Sequence, residues 1–168
     1  MNSQKPQTMS LFHSKRIIAT EAAARHAKDM KQSNQTIVFT NGCFDIIHPG
    51  HIYYLNQAKQ HGDILWIGLN TDTSVQALKG PNRPIHPEEA RAFVLTQIKS
   101  VDFVTLFSEK TPIQLISQIQ PHIHVKGGDY NKKDLVETPT VEAYGGTVII
   151  KPFLDGFSTS TILDKAQE

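Results

Sequence analysis

Cysteine is almost absent. Cys43 stands alone among 168 residues, so neither an intramolecular disulfide nor a cysteine-based zinc cluster can be built. A lone thiol fits a reducing compartment, and the cytoplasm is the expected location. Long apolar runs are missing too: the longest covers 64–69, far short of the roughly 20 residues of a membrane helix, and the polar opening 1–10 has no signal-peptide core. Charge of one sign is also lacking. Seventeen Lys and Arg against sixteen Asp and Glu leave a net charge of +1, which gives no long-range field for gripping a nucleic-acid backbone. Neither a membrane nor a nucleic acid is an expected partner. Two familiar phosphate-binding patterns are absent as well: neither GxxxxGK(S/T) nor GxGxxG follows the first predicted strand, which removes P-loop kinase and dinucleotide dehydrogenase readings.

What is present is a chain of ordinary globular make-up, 39% hydrophobic and 20% charged, and about long enough for one domain. Residues 1–14 mix Gln, Ser, Pro and Lys without period and read as a flexible tail. Residues 15–168 form the domain, opened by a leading helix within 15–32 where Ile17, Ala24, Ala27 and Met30 recur near helical spacing. Beyond Asn34, short β-branched runs alternate with amphipathic stretches. The pattern predicts strands over 36–40, 64–70, 103–107, 123–126 and 147–151, and helices over 52–60, 87–98, 112–118 and 134–144. Gly62 ends the first of these helices, while Pro87 and Pro112 sit where a helix can begin without losing a backbone bond. Strands apolar on both faces and joined by helical crossovers imply an α/β fold, a doubly wound five-stranded parallel sheet that binds its ligand at the carboxyl ends of the strands. The stretch 76–86, with Gly80 and prolines at 81, 84 and 87 nearby, reads as a long irregular loop.

The densest chemical signal is TNGCFDIIHPGH at 40–51, where the first strand gives way to the first long helix of the sheet. Asn41 and Gly42 allow a tight turn that exposes backbone N–H groups, and the helix beginning after Pro49 turns its unsatisfied donors and positive dipole end to the same crevice. His48 and His51, three apart, can both project from the first turn toward one anionic group. The residues alone also allow other readings. HPGH lacks the four-residue spacing and central Glu of a zinc protease motif, either histidine could be a hydrogen-bonded core residue, and Cys43 has no base arranged near it in sequence. Asn70 and Asp72 suit a turn or helix cap, Ser158, Thr159 and Ser160 suit an N-cap, and Lys79 alone reads as a solvated lysine.

These segments, together with LNTD at 69–72, LKGPNRP at 78–84, EEAR at 88–91, VKGGDY at 125–130 and DGFSTS at 155–160, resemble the HxGH nucleotidylyltransferases over about 37–164, most of the chain. VKGGD points to the heptose 1-phosphate adenylyltransferase branch. The resemblance implies a Rossmann-like fold and transfer of AMP from ATP, with Mg²⁺, to a sugar 1-phosphate. The implied acceptor is D-glycero-β-D-manno-heptose 1-phosphate, and the products are ADP-heptose and pyrophosphate, with no covalent enzyme intermediate. It implies catalytic roles for His48, His51 and Lys79, the lysine carried on a flexible loop. Nucleotide contacts are implied for Thr40, Asn41, Gly42, Cys43, Phe44, Asp45 and Gly50, for Asn70 and Asp72, for Lys126, Gly127, Gly128 and Asp129, and for Ser158, Thr159 and Ser160. Arg83 and Arg91 are the candidate acceptor contacts, since a dianionic sugar phosphate needs cations. No dedicated protein metal site is expected.

The sequence also departs from relatives of this kind. Cytidylyltransferases of the superfamily carry an RTxGIST run and a TxGTFD opening, whereas Phe153 stands at the arginine position here and the opening is TNGCFD. A cytidylyltransferase acting on glycerol 3-phosphate or a similar alcohol phosphate is therefore the runner-up, and a non-catalytic ATP-binding module is the alternative from another class. Many such adenylyltransferases are fused behind a sugar kinase. A chain of 168 residues is expected to act alone, with a separate kinase supplying the acceptor, and as a homodimer if it follows its relatives. Kinship points to the lipopolysaccharide core as the product's destination.

Overall fold

The computed structural model describes residues 12–152, 154, 156, 157 and 159–166. Five parallel strands, β1 (Ile37–Gly42), β2 (Ile64–Asn70), β3 (Phe103–Phe107), β4 (Ile123–Gly127) and β5 (Thr147–Lys151), form one sheet in the order β3-β2-β1-β4-β5. The helices are α1 (Thr20–Gln32), α2 (Pro49–Lys59), α3 (Asp72–Lys79), α4 (Glu88–Thr96), α5 (Ile113–Ile119), α6 (Thr138–Ala143) and α7 (Thr159–Ala166). The winding reverses between β1 and β4, and that reversal is where such sheets bind ligands.

Alternation along the strands separates two cores. Ile37, Phe39, Trp66 and Val148 pack on one face against Ala23 and Ala27 of α1, Leu115 and Ile116 of α5 and Val141 of α6. On the other face Val38, Leu65, Ile67 and Val125 pack against Tyr54 and Leu55 of α2 and Ala92 and Leu95 of α4. Every residue of β2 is buried, which is why that strand reads as a continuous apolar run rather than an alternating one.

Strands β2, β3 and β5 match their expected limits, and β1 and β4 extend one or two residues further, into Asn41–Gly42 and Gly127. Three helical segments differ. The leading helix begins at Thr20, because 16–18 instead lie along the exposed edge of β3, with Ile18 N donating to Val104 O (2.8 Å) and Val104 N to Arg16 O (2.9 Å). The expected 134–144 helix is a short 3-10 turn, Lys132–Asp134, followed by α6, which starts where Pro139 suits a first turn. The first four residues of the expected loop, 76–79, are helix: α3 is capped by Thr71, whose hydroxyl accepts from Ser74 N, and it ends at Gly80, whose φ of +97° a larger residue would resist. The glycine and prolines that suggested a long loop mark only the part after Lys79.

Candidate active site

The loop leaving β1 builds the site. Phe44 sits at a φ of +43°, a left-handed conformation that costs a bulky residue on the order of 1 kcal/mol or more. Its buried ring is the compensation, lying against Gly42, where an added Cβ would meet it at 3.0 Å, and tilted 5.2 Å from the His51 ring. Asp45 is the hub of the loop. Its carboxylate accepts from Ile85 N (2.7 Å), His86 N (3.2 Å) and Arg83 Nε (2.6 Å). Burial alone would raise its pKa, but the His86 amide, the Arg83 guanidinium and the Ile85 amide together hold it below the usual carboxylate value.

His48 is the N-cap of α2 and His51 lies in its first turn, with their rings stacked 3.8 Å apart at 26°. Gly50 makes the close packing possible, since a Cβ there would stand 3.0 Å from the His48 ring and 3.1 Å from Phe157 Cβ. Burial, the neighbouring His48 and the Lys79 charge push the His51 pKa down to about 4 against a pull upward from the Ile46 backbone, and burial also lowers His48. Both rings are therefore neutral near pH 7, each able to present one N–H. The start of α2 offers fewer free amides than its helical position suggests. Pro49 has none, and the amides of His51 and Ile52 turn back to His48 O at 2.9 and 3.3 Å. The imidazoles thus carry more of the donor function at this helix end.

Lys79 is exposed at the last residue of α3, and its charge reaches both His51 and Cys43. Asn41 accepts from Lys126 Nζ (3.3 Å), which also pairs with the buried Glu137 (3.1 Å). Gly127 closes β4 opposite Lys151, Gly128 has a φ of +127° and donates to Lys151 O, and Asp129 is exposed beyond it. Thr159 opens α7 and Ser160 follows it, whereas Ser158, like Phe153 and Asp155, lies outside the described residues. Along one carboxyl edge the fold thus gathers 41–51, Lys79 and 126–129.

Other expected site residues stand elsewhere. Thr40 is fully buried behind the edge, its hydroxyl 2.8 Å from Tyr54 Oη. Asn70 is buried, donating to Ser74 Oγ (2.9 Å) with its Oδ1 3.9 Å from Cys43 Sγ. Burial raises the Cys43 thiol despite the Lys79 and Arg91 charges, as a packed thiol rather than a poised nucleophile would show.

The two arginines also have duties the sequence did not suggest. Arg91, almost completely buried, donates to Cys43 O (2.6 Å), His86 O (3.0 Å) and Asp72 Oδ1 (2.8 Å), and Arg83 is paired with Asp45. Their guanidinium groups brace the loop against α3 and α4. Sequence reasoning missed Glu88, which accepts from Asp72 N at 2.6 Å, and also Tyr54 and Glu137. Tyr54 could have been found from its place one turn after His51. Nothing in the sequence marks Glu137.

Among the described residues no group of three or more His, Cys, Asp or Glu is placed to hold a metal ion, and no helix is long and apolar enough to cross a membrane.

A cytidylyltransferase-like family model matches residues 39–163. The bifunctional protein HldE of Trichlorobacter lovleyi is 43% identical over 95% of this chain and 31% of its own length; that of Hahella chejuensis is 49% identical over 83% and 29%. The chain therefore spans under a third of these two relatives. A lipopolysaccharide core biosynthesis protein from Thermoplasma volcanium superposes with a TM-score of 0.60 at 29% identity, covering 71% of this chain and 97% of that one. Pantoate-β-alanine ligase from Francisella tularensis shares the fold, with a TM-score of 0.56 at 13% identity over 92% and 77% of the two chains. With an HxGH element at the carboxyl edge of a five-stranded parallel sheet and a family match across most of its length, this chain belongs to the cytidylyltransferase-like family of nucleotidyltransferases.

Proposed function

We propose that this protein moves AMP from ATP onto a sugar 1-phosphate, with D-glycero-β-D-manno-heptose 1-phosphate as acceptor, giving ADP-heptose and pyrophosphate. The observation that carries the reading is the stacked, neutral His48–His51 pair on the carboxyl edge within reach of the Lys79 charge. The VKGGD segment and the HldE relatives support the heptose acceptor, the matched part of those relatives being read as their nucleotidyl-transfer part.

An acceptor phosphate oxygen attacks the α-phosphorus in line, the bond from that phosphorus to the bridging oxygen breaks, and pyrophosphate leaves with the electron pair. Charge accumulates on phosphate oxygens during this step. The protein's contribution is to meet it with preorganised donors: the two imidazole N–H groups and the Lys79 ammonium, each worth about 10²–10³ in rate for comparable donors. Neutral imidazoles suit donation without proton transfer, so the pair orients the triphosphate rather than acting as a base. The Asp45 and Asp72 carboxylates are both committed to arginines, so Mg²⁺ fits here as the counter-ion of the triphosphate, where it neutralises phosphate charge.

Pyrophosphate release is the test, with ATP or CTP and Mg²⁺ against heptose 1-phosphate, other sugar 1-phosphates and glycerol 3-phosphate, and with ADP-heptose sought by mass spectrometry. The expected result is turnover with ATP and the heptose phosphate. Turnover restricted to CTP and glycerol 3-phosphate would overturn the reading, as would tight ATP binding without turnover on any acceptor.

A further inference from the structure

The sheet is not uniformly closed. β1 pairs with β2 along its whole length, from Ile37↔Ile64 to Gly42↔Leu69, but with β4 only at Val38↔Ile123 and Phe39↔His124. Continued in register, Thr40 would pair with Val125 and Asn41 with Lys126. Instead the strands part at the reversal of winding, and side chains occupy the gap. Tyr54, from the helix that carries His51, donates its hydroxyl proton to Val125 O (3.0 Å), so the Thr40 hydroxyl is the donor in its 2.8 Å contact with Tyr54. One step further, Lys126 Nζ meets Asn41 Oδ1. Tyr54 is 5% exposed, and its ring packs in the core between α2 and the sheet.

A sheet that splits in its interior leaves main-chain groups unpaired, and a buried carbonyl without a donor is costly. We propose that Tyr54 is a positioning residue that keeps the crevice between β1 and β4 open: by satisfying Val125 O it makes the parted strands the stable resting state, ready for a nucleotide. The inference rests on the reading that this crevice takes a nucleoside triphosphate. Without the hydroxyl, re-pairing of the strands competes with the open state, and a nucleotide must spend binding energy to reopen them. Apparent affinity then falls by the fraction of molecules left open.

The test compares wild type with Tyr54→Phe, which keeps the ring, and Thr40→Val, which removes only the Thr40 end of the tie and leaves the bond to Val125 O. ATP and CTP binding is measured by calorimetry without acceptor, and steady-state kinetics and amide hydrogen exchange are measured in parallel. For Tyr54→Phe we expect Kd and KM for the nucleotide to rise about tenfold with kcat within about threefold, as loss of one buried hydrogen bond redistributes open and closed forms. Amides at 40–42 and 125–127 should exchange more slowly. Thr40→Val should move affinity the same way, by about threefold.

A hydroxyl that merely stabilises the core would lower thermal stability and speed exchange at those amides while leaving Kd unchanged. That result overturns the inference and leaves the proposed function intact. Failure of the wild type to bind either nucleotide would overturn both.

Discussion

At the carboxyl edge and in the middle of β4 this molecule holds histidines whose protonation is suppressed by burial, and the two places differ in what can reach them. At the carboxyl edge, His48 and His51 stack on each other at the start of α2 with Lys79 nearby. In the middle of β4, His124 is fully buried and stacked 5.7 Å from Phe39, and the structure gives neither ring nitrogen a hydrogen-bond partner among the described residues. Burial is the main cause of the low pKa in both places, and His51 and His124 are each pushed to about 4. A suppressed imidazole is therefore not a functional signature by itself. What sets the edge pair apart is access: it lies on the side of the sheet where strands end and a loop opens, while His124 is sealed under helices of the opposite face.

The comparison breaks most directly at the edge. His51→Ala and His48→Ala should each lower kcat about a hundredfold or more with an unchanged circular dichroism spectrum, the scale expected for losing a preorganised donor to a reacting phosphate. Steady-state rates with saturating nucleotide and acceptor check this. Near-normal turnover in both variants would put the edge histidines in the same class as His124. A smaller effect is expected from Gly50→Ala. The added methyl meets the His48 ring at 3.0 Å, so that ring must shift while its chemistry is retained. Turnover should drop about tenfold, consistent with the sensitivity of catalysis to sub-ångström misplacement. Normal turnover in a Gly50→Ala variant whose crystal structure shows the His48 ring displaced would show that ring placement is not what matters.

Much of this arrangement is written in the sequence, and the rest is invisible for definable reasons. Sheet strands are legible because apolar β-branched runs bounded by Gly, Pro and Asn have few other uses, and three of five strands keep their expected limits. The helix α3 was hidden because Gly80 and Pro81 outweighed Thr71, whose capping bond to Ser74 is local and modest. Spacing placed His48 and His51 together, since three residues on one helix fix their separation. It could not reveal that Arg91 turns inward to the Cys43 and His86 carbonyls, because those partners are forty-eight and five residues away. Nor could it show that the Thr40 hydroxyl meets Tyr54, because which side of a strand is buried follows from the helices that cover it.

The finest distinction between the two histidine regions lies in acid stability. A histidine held near pKa 4 in the folded protein and near 6.5 when unfolded binds its proton more readily in the unfolded state. The stability it permits is present above pH 6.5 and is lost as pH falls toward 4. His51 and His124 both impose this loss, His124 with Lys126 opposing its charge and Glu137 favouring it. A bound triphosphate should separate them. Its negative charge sits against the edge pair, raises the His51 pKa and removes that part of the acid loss, while His124, out of reach in the core, keeps its part. His124→Leu should therefore leave kcat within about twofold and preserve on the order of 1 kcal/mol or more of stability between pH 6.5 and 4. That gain should appear in denaturant titrations both with and without nucleotide. If nucleotide abolished the difference between variant and wild type, His124 would be coupled to the edge after all, and the line drawn between the two regions would have to move.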